Sequence, residues 1–227
     1  YKVSILGGDT NFNDAISVNS TGVVTIQDTK PLLRTGMAAG DYLYATGRLG
    51  AGSAFAYARY FDEGMDVGYQ PLARLDESKL IREFASACMD TSDGLFPALS
   101  VLASINQLGM CLETPLEDTL HPDVLHVSTM ADIPSWMLLA GPHGEYELLF
   151  TVPPAQLPKF TTACAEKNWL PLYLGEIIPA VQLEFTSEKL TVSCPSALIA
   201  NLFAESNFDV NGYFNLLKQQ HIFWCNL

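Results

Sequence analysis

Asp90-Thr91-Ser92-Asp93 sets two carboxylates and two hydroxyls in four consecutive residues, and Gly94 and an apolar stretch follow at once. That stretch, Leu95 to Leu108, carries Leu95, Leu99, Leu102 and Ile105 at helical spacing. Pro97 falls in its first turn, where a missing N–H costs little. Two chemistries fit the turn. Ser92 or Asp93 caps the helix, as Ser and Asp commonly do. Alternatively, the unpaired N–H groups and the helix dipole attract phosphate. The carboxylates then repel it unless Mg²⁺ lies between, and Mg²⁺ uses one or two carboxylates together with phosphate oxygens and waters. The residues alone leave both readings open.

Gly7-Gly8-Asp9-Thr10 is a second turn of this kind, placed after the strand-like Tyr1-Lys2-Val3-Ser4-Ile5-Leu6. Its glycines permit close backbone approach or positive φ, so Asp9 either closes a tight turn or faces a ligand. Gly47-Arg48-Leu49-Gly50-Ala51-Gly52 also follows a strand and opens a helix. It matches neither G-x-G-x-x-G nor the P-loop, because no Gly-Lys-Ser/Thr follows, and close helix–strand packing explains its glycines. Among the histidines, His143 stands out within Gly141-Pro142-His143-Gly144-Glu145-Tyr146-Glu147, whereas His121, His126 and His221 have no partner at a recognisable spacing. No Gly-x-Ser-x-Gly elbow or Cys–His pattern supports a covalent nucleophile.

Composition narrows the partners. Twelve Lys and Arg against 25 Asp and Glu give a net charge of −13, which argues against binding a nucleic-acid backbone. It suits a protein that meets phosphate through divalent metal. The five cysteines are far apart and form no C-x-x-C pair, as expected of reduced thiols in the cytoplasm, and no zinc-ligand spacing exists. No apolar run approaches the ~20 residues of a membrane span, and no signal peptide is visible.

The elements that must position these turns alternate. Strands are expected at 1–6, 15–24, 41–46, 110–113, 145–152 and 170–174, with a hairpin of 181–185 and 190–194. Helices are expected at 53–61, 78–87, 95–108 and 155–168, and two short ones between 122 and 139; the end, from Pro195, reads as mixed helix and coil. The loop from Asp28 to Gly40, with Pro31 and Gly36, is the expected domain boundary. Strands interleaved with helices and hairpins point to an α+β or α/β sandwich rather than a pure parallel sheet. A chain that opens inside a strand reads as part of a longer polypeptide.

Five blocks, taken in order, resemble one family: GGDT (7–10), LLRTGMAAGD (32–41), YLYATGRLG (42–50), MDTSDGL (89–95) and GEYELLFTV (144–152). They are similar to the thiamine-monophosphate kinase branch of the aminoimidazole ribonucleotide synthetase (AIR synthase)-related ATP-binding superfamily. The resemblance runs from Tyr1 to about Gly175. It implies a two-domain AIR synthase-like fold, α+β and α/β, that dimerises through its N-terminal domain. Residues 1–30 would be the remainder of that domain and 31–227 the C-terminal domain. ATP would lie in the cleft with several Mg²⁺ ions. By motif, Asp9, Asp90 and Asp93 would bind Mg²⁺; Gly8, Asp9, Arg34 and Ser92 would contact ATP; and the acceptor would be a small phosphorylated molecule such as thiamine monophosphate. No residue is assigned as catalytic.

The resemblance departs in two places. The family's N-terminal metal-binding aspartates precede the GGDT block. Gly144 occupies the position of the Glu that helps hold thiamine phosphate, so Glu145 is the expected substitute. Tyr213, in Gly212-Tyr213-Phe214, is the expected aromatic against the thiamine ring. The departures keep two alternatives in view: an AIR synthase-related ligase or cyclase, and a non-catalytic nucleotide-binding paralogue.

Overall fold

The first strand, β1 (Tyr42–Ala45), buries Leu43 and Ala45 completely on one side and leaves Tyr42 and Tyr44 half-buried on the other. The period-2 alternation of a strand makes such a two-faced element, and each face needs its own cover. A computed structural model of the protein shows how that cover is arranged. It describes residues 21–23, 31–62, 64–141, 145–180, 182–187, 190–194 and 196–220.

After β1 come α1 (Ala51–Phe61), α2 (Leu75–Phe84), β2 (Ala87–Asp90), α3 (Leu95–Asn106), β3 (Gly109–Leu112), α4 (Leu116–Thr119) and α5 (Pro122–Ala131). A 3₁₀ turn (Ser135–Leu139) leads to β4 (Leu148–Val152), α6 (Leu157–Glu166) and β5 (Leu172–Ile178). The hairpin β6 (Leu183–Ser187) and β7 (Leu190–Cys194) precedes α7 (Ser196–Glu205) and α8 (Val210–Gln219). The strands form one sheet in the order β2-β4-β1-β5-β3-β6-β7. Every neighbouring pair is antiparallel except β3 and β6. This is the expected mixed α+β arrangement.

Two apolar clusters cover the sheet. The larger joins Leu43, Ala45, Met89, Leu112, Leu149 and Leu174 to the buried sides of α1, α3, α5, the 3₁₀ turn, α7 and α8. The smaller joins Phe150 and Val152 to Ile81 and Phe84 of α2 and to Phe160 and Cys164 of α6. Adjacent residues Leu149 and Phe150 therefore serve opposite faces, as one step along a strand requires.

The structure differs from the sequence reading at two edges that matter for the site. The helix expected over 78–87 stops at Phe84, and Ala87–Asp90 is strand β2. Ser86 marks the change: its N–H donates to Thr151 O (2.9 Å) and its hydroxyl to Asp41 Oδ2 (2.6 Å), which draws the chain into the ladder. The strand expected from Glu145 begins only at Leu148. The short α4 has no counterpart among the elements expected from the sequence.

The chain divides into two units, Tyr1–Pro31 and Leu32–Leu227, and every element named above belongs to the second. The strands expected at 1–6 and 15–24 lie outside the described residues, apart from 21–23, which carry no regular structure. Among the described residues, no helix is long and apolar enough to cross a membrane.

Candidate functional site

The Asp turn is built by strand pairing. β2 runs antiparallel to β4 with Asp90 opposite Leu148, so Asp90 is the last strand residue. Thr91 extends the ladder by one bond, its N–H donating to Glu147 O (2.9 Å). The chain then turns, with Gly94 N–H donating to Thr91 O (2.8 Å). Gly94 has φ 94° and lies against the backbone of Leu139 and Gly141, where an added Cβ would sit 2.8 Å from Gly141 N. Both the dihedral and the space admit only glycine.

Gly94 is also the residue from which α3 starts, and no side chain caps that helix. The capping reading of Ser92 and Asp93 is thereby corrected. Ser92 instead donates its N–H (3.1 Å) and its hydroxyl to Asp90 Oδ1. Asp93 is exposed.

Arg34 is brought to the same place by an irregular strap. Leu33 O accepts from Cys88 N–H (2.9 Å), and Asn106 clasps the next residues: its Nδ2 donates to Arg34 O (2.9 Å) and its Oδ1 accepts from Gly36 N–H (2.9 Å). The Arg34 Nη2 then lies 3.8 Å from Asp90 Oδ2, with the two side chains 55% and 37% exposed. Burial alone would raise the pKa of Asp90. The two Ser92 hydrogen bonds and the Arg34 charge outweigh it and hold the carboxyl below its ordinary value. Asp90 is thus a charged carboxylate at neutral pH. Its exposed, long pairing with Arg34 contributes little stability, which leaves the guanidinium available to an anion.

Behind the turn stands a wall of polar side chains. Glu147 accepts from Arg74 through two bonds, Nη2 to Oε1 (2.5 Å) and Nε to Oε2 (3.0 Å), and also from the Thr46 hydroxyl. Fork-on-carboxylate pairing of this kind fixes direction as well as distance. Arg74 in turn meets Glu77 at 3.3 Å. Thr46 Oγ1 accepts from Leu148 N–H (2.8 Å), and Trp169 Nε1 donates to Thr46 O (3.1 Å). Trp169 and Glu77, with Asp76, Lys79, Leu80 and Lys167, line a cavity of about 350 Å³ on the α2–α6 side.

Glu145, the expected substrate contact, belongs to this wall. It is 5% exposed. Its Oε2 accepts from Gly50 N–H and its Oε1 from the Thr91 hydroxyl (3.3 Å). Gly50, at φ 89°, is the residue from which α1 starts, and an added Cβ would sit 2.6 Å from Val124 Cγ2. The glycine-rich turn is therefore packed against the Glu145–Glu147 segment, as the close-packing reading has it. Burial pushes Glu145 up to about 7, against the hydrogen bonds from Gly50, Thr91 and Gly52 and with help from the Glu147 charge.

Tyr213, the expected aromatic against the thiamine ring, is buried too. Its ring is wholly buried on α8, where it packs edge-on against Phe203 at 5.3 Å and Phe214 at 5.5 Å between centroids. The amphipathic register of α8 turns it into the core. Gly8, Asp9, His143 and Gly144 lie outside the described residues. Of the cysteines, Cys88, Cys111 and Cys164 form no disulfide. Burial and the Asp90 charge push the Cys88 thiol up to about 12, which leaves it without nucleophilic character at neutral pH.

The structure thus brings Arg34 and Ser92 to Asp90, with Asp93 exposed on the same turn. It adds three residues that sequence reasoning passed over. Thr91 sits between the two residues that draw the eye, Asp90 and Ser92; Glu147 reads only as part of a strand; and Arg74 lies in a stretch, 62–77, with no periodic signal.

No protein-family model matches the chain. Over 177 residues it is 31% identical to a thiamine-monophosphate kinase of Leptospira interrogans, covering 70% of this chain and 52% of that protein. A thiamine-monophosphate kinase of Buchnera aphidicola subsp. Schizaphis graminum is 28% identical over 184 residues, covering 74% and 54%. The chain is similar to thiamine-monophosphate kinases over about 70% of its length. It spans about half the length of the curated relatives it matches.

Solved structures agree on the fold. The thiamine-monophosphate kinase of Stenotrophomonas maltophilia K279a superposes with a TM-score of 0.56 at 18% identity, covering 70% of this chain and 54% of that one. The structure of AaThiL complexed with AMPPCP and TMP gives 0.54 at 20%, covering 71% and 53%. The hydrogenase maturation protein HypE of E. coli gives 0.58 at 14%, covering 72% and 52%. The described unit has the AIR synthase-like fold.

The donor set of this turn suits a hard cation. Asp90 and Asp93 are oxygen donors on one short turn, and Mg²⁺ is commonly held by one or two carboxylates with phosphates and water completing the shell. Among the described residues, no third His, Cys, Asp or Glu joins them. The turn fits Mg²⁺ as part of a shared site rather than as a cage.

Proposed function

We propose that the chain is part of an ATP- and Mg²⁺-dependent phosphotransferase of the thiamine-monophosphate kinase type, passing the γ-phosphoryl group of ATP to thiamine monophosphate and yielding thiamine diphosphate and ADP. One observation carries the reading: Asp90, Ser92 and Asp93 share a turn open to solvent, with Arg34 3.8 Å from Asp90, while the neighbouring Glu145 and Glu147 are consumed by protein donors. The similarity to thiamine-monophosphate kinases and the AMPPCP and TMP named with AaThiL support the choice of donor and acceptor.

In this reading Asp90 and Asp93 hold Mg²⁺, and by motif Asp9 is a further proposed Mg²⁺ ligand that also contacts ATP. Gly8 approaches ATP, and Arg34 and Ser92 contact it. Bound Mg²⁺ supplies neutralisation of phosphate charge. Phosphoryl transfer asks the protein mainly for alignment and charge stabilisation, and a phosphate oxygen as acceptor needs no base to deprotonate it. Residues 1–30 belong to the N-terminal ATP-binding domain and 31–227 to the C-terminal one. The whole enzyme is a cytoplasmic homodimer in this view; the widely spaced cysteines accord with a reducing compartment.

Calorimetry with Mg·ATP on Asp93→Asn tests the reading. The exposed site predicts an unchanged fold and an affinity lowered by about tenfold or more, since charge-assisted bonds are worth ~1.5–3 kcal/mol. Unaltered binding overturns it. Product analysis separates the alternatives: ADP with thiamine diphosphate supports the kinase, whereas free phosphate in step with turnover indicates ligase or cyclase chemistry.

A further inference from the structure

The two carboxylates proposed for the cation sit at either end of a turn whose centre faces the other way. Thr91 is wholly buried, while Asp90 is partly exposed and Asp93 exposed. All three of the Thr91 groups that can bond inward or across the turn are used. Its N–H donates to Glu147 O (2.9 Å), its hydroxyl reaches Glu147 O (3.2 Å) and Glu145 Oε1 (3.3 Å), and its carbonyl accepts from Gly94 N–H (2.8 Å). The segment it hangs from is itself fixed. Glu147 is locked by the two-bond fork of Arg74 and by Thr46, with side chains only 14% and 19% exposed for Glu147 and Arg74. Glu145 is anchored on Gly50 at the start of α1.

We propose that Thr91 and Glu147 are positioning residues for the cation site: together they form a mount that sets the height and spacing of Asp90 and Asp93 on the rim. The inference rests on the kinase reading and deepens it. The physical reason is that Mg²⁺ demands near-ideal octahedral geometry at ~2.0–2.1 Å, so a carboxylate on a loose turn is a poor ligand even when its charge is right. Asp90 is already steadied by Ser92. Asp93 has no cap duty on α3, so its position depends on the turn, and the turn depends on Thr91.

The test compares Thr91→Val, which keeps the shape and removes the hydroxyl, with Thr91→Ser, which restores it, and with Glu147→Gln. The intact protein is used, and Mn²⁺ is titrated in the presence of AMPPCP well below the unfolding temperature. A second measurement needs no ligand: amide hydrogen exchange at Ser92 and Gly94 in the free protein, compared with exchange in β4 and β1. The mount predicts Mn²⁺ affinity about five- to tenfold weaker for Thr91→Val, about twofold or less for Thr91→Ser, and an intermediate loss for Glu147→Gln, the scale of one or two hydrogen bonds. It also predicts faster exchange at Ser92 and Gly94 while the sheet amides are unchanged. If Thr91→Val only lowers the melting temperature, with Mn²⁺ affinity and turn exchange as in the parent, Thr91 is merely structural and the inference is overturned alone. If the parent itself binds no Mn²⁺ with AMPPCP, the kinase reading falls and takes the inference with it. Should Thr91→Val not fold, Thr91→Ser and Glu147→Gln decide by the same two readouts.

Discussion

Glu145 and Asp90 meet on either side of Thr91, yet they live in opposite surroundings. Glu145 is buried and engaged by Gly50 and Thr91, and burial pushes its carboxyl up to about 7. Asp90 is more than a third exposed, receives Ser92 from one side and faces Arg34 on the other, and is held below its ordinary value. The first is part of the wall, half-neutral near neutral pH. The second is a charged group offered outward. The same functional group therefore does two jobs within one small region, and what separates them is access to solvent and the donors within reach.

That contrast can be broken at its hinge. Gly94→Val removes the positive-φ residue between the turn and α3 and drives a side chain into the backbone of Gly141. Strain and clash together predict a loss of about 4 kcal/mol, read as a fall in the urea midpoint. A fully stable Gly94→Val protein contradicts the geometry of the turn.

The wall carboxylate has a pH signature of its own. Because the folded pKa of Glu145 is raised from 4.5 to about 7, the folded protein holds this proton more tightly than the unfolded chain. Its contribution to stability is present in full below pH 4.5 and is lost as pH rises to about 7, a total of about 3 kcal/mol. Glu145→Gln should match the parent near pH 5 and exceed it at pH 8. Parallel stability–pH curves for the two proteins would mean that Glu145 is ionised throughout.

A smaller effect is expected at Glu147. Glu147→Ala leaves the Arg74 guanidinium without its main partner in a setting where it is only 19% exposed. Breaking a well-buried pair costs ~3–5 kcal/mol and an exposed one ~1 kcal/mol or less, so a loss of about 2 kcal/mol is expected. The Arg74→Ala, Glu147→Ala double variant should lose less than the sum of the singles, and strict additivity in that cycle would show that the pair is uncoupled. The smallest effect belongs to the rim: Asp93→Asn should change stability by less than about 0.5 kcal/mol, as exposed substitutions usually do, despite its predicted effect on Mg·ATP.

Much of the architecture could be read from local pattern. The alternation of Tyr42-Leu43-Tyr44-Ala45, the 3–4 spacing of α3 and the β6–β7 hairpin are properties of short segments, and short segments carry them in any context. The edges were less legible. Ser86 leaves the helix because Asp41 and Thr151 are waiting for it, and neither is a neighbour in the chain. Tyr213 looked like a ligand platform because an aromatic beside glycine is ambiguous; the register of α8 against α7 buries it.

By itself, the sequence determined which residues are capable of the chemistry: the acidic turn 90–93, the arginine at 34 and the ordered blocks that resemble a kinase family. These follow from residue type and spacing. Which of the acids is open to solvent and which is buried and engaged was decided only by tertiary structure. Glu145, Glu147, Arg74 and Thr91 come from segments separated by up to 73 residues, and their roles depend on burial and on donors supplied across the sheet. A carboxylate's charge state and availability are set by its surroundings in space, and those surroundings exist only once the chain has folded.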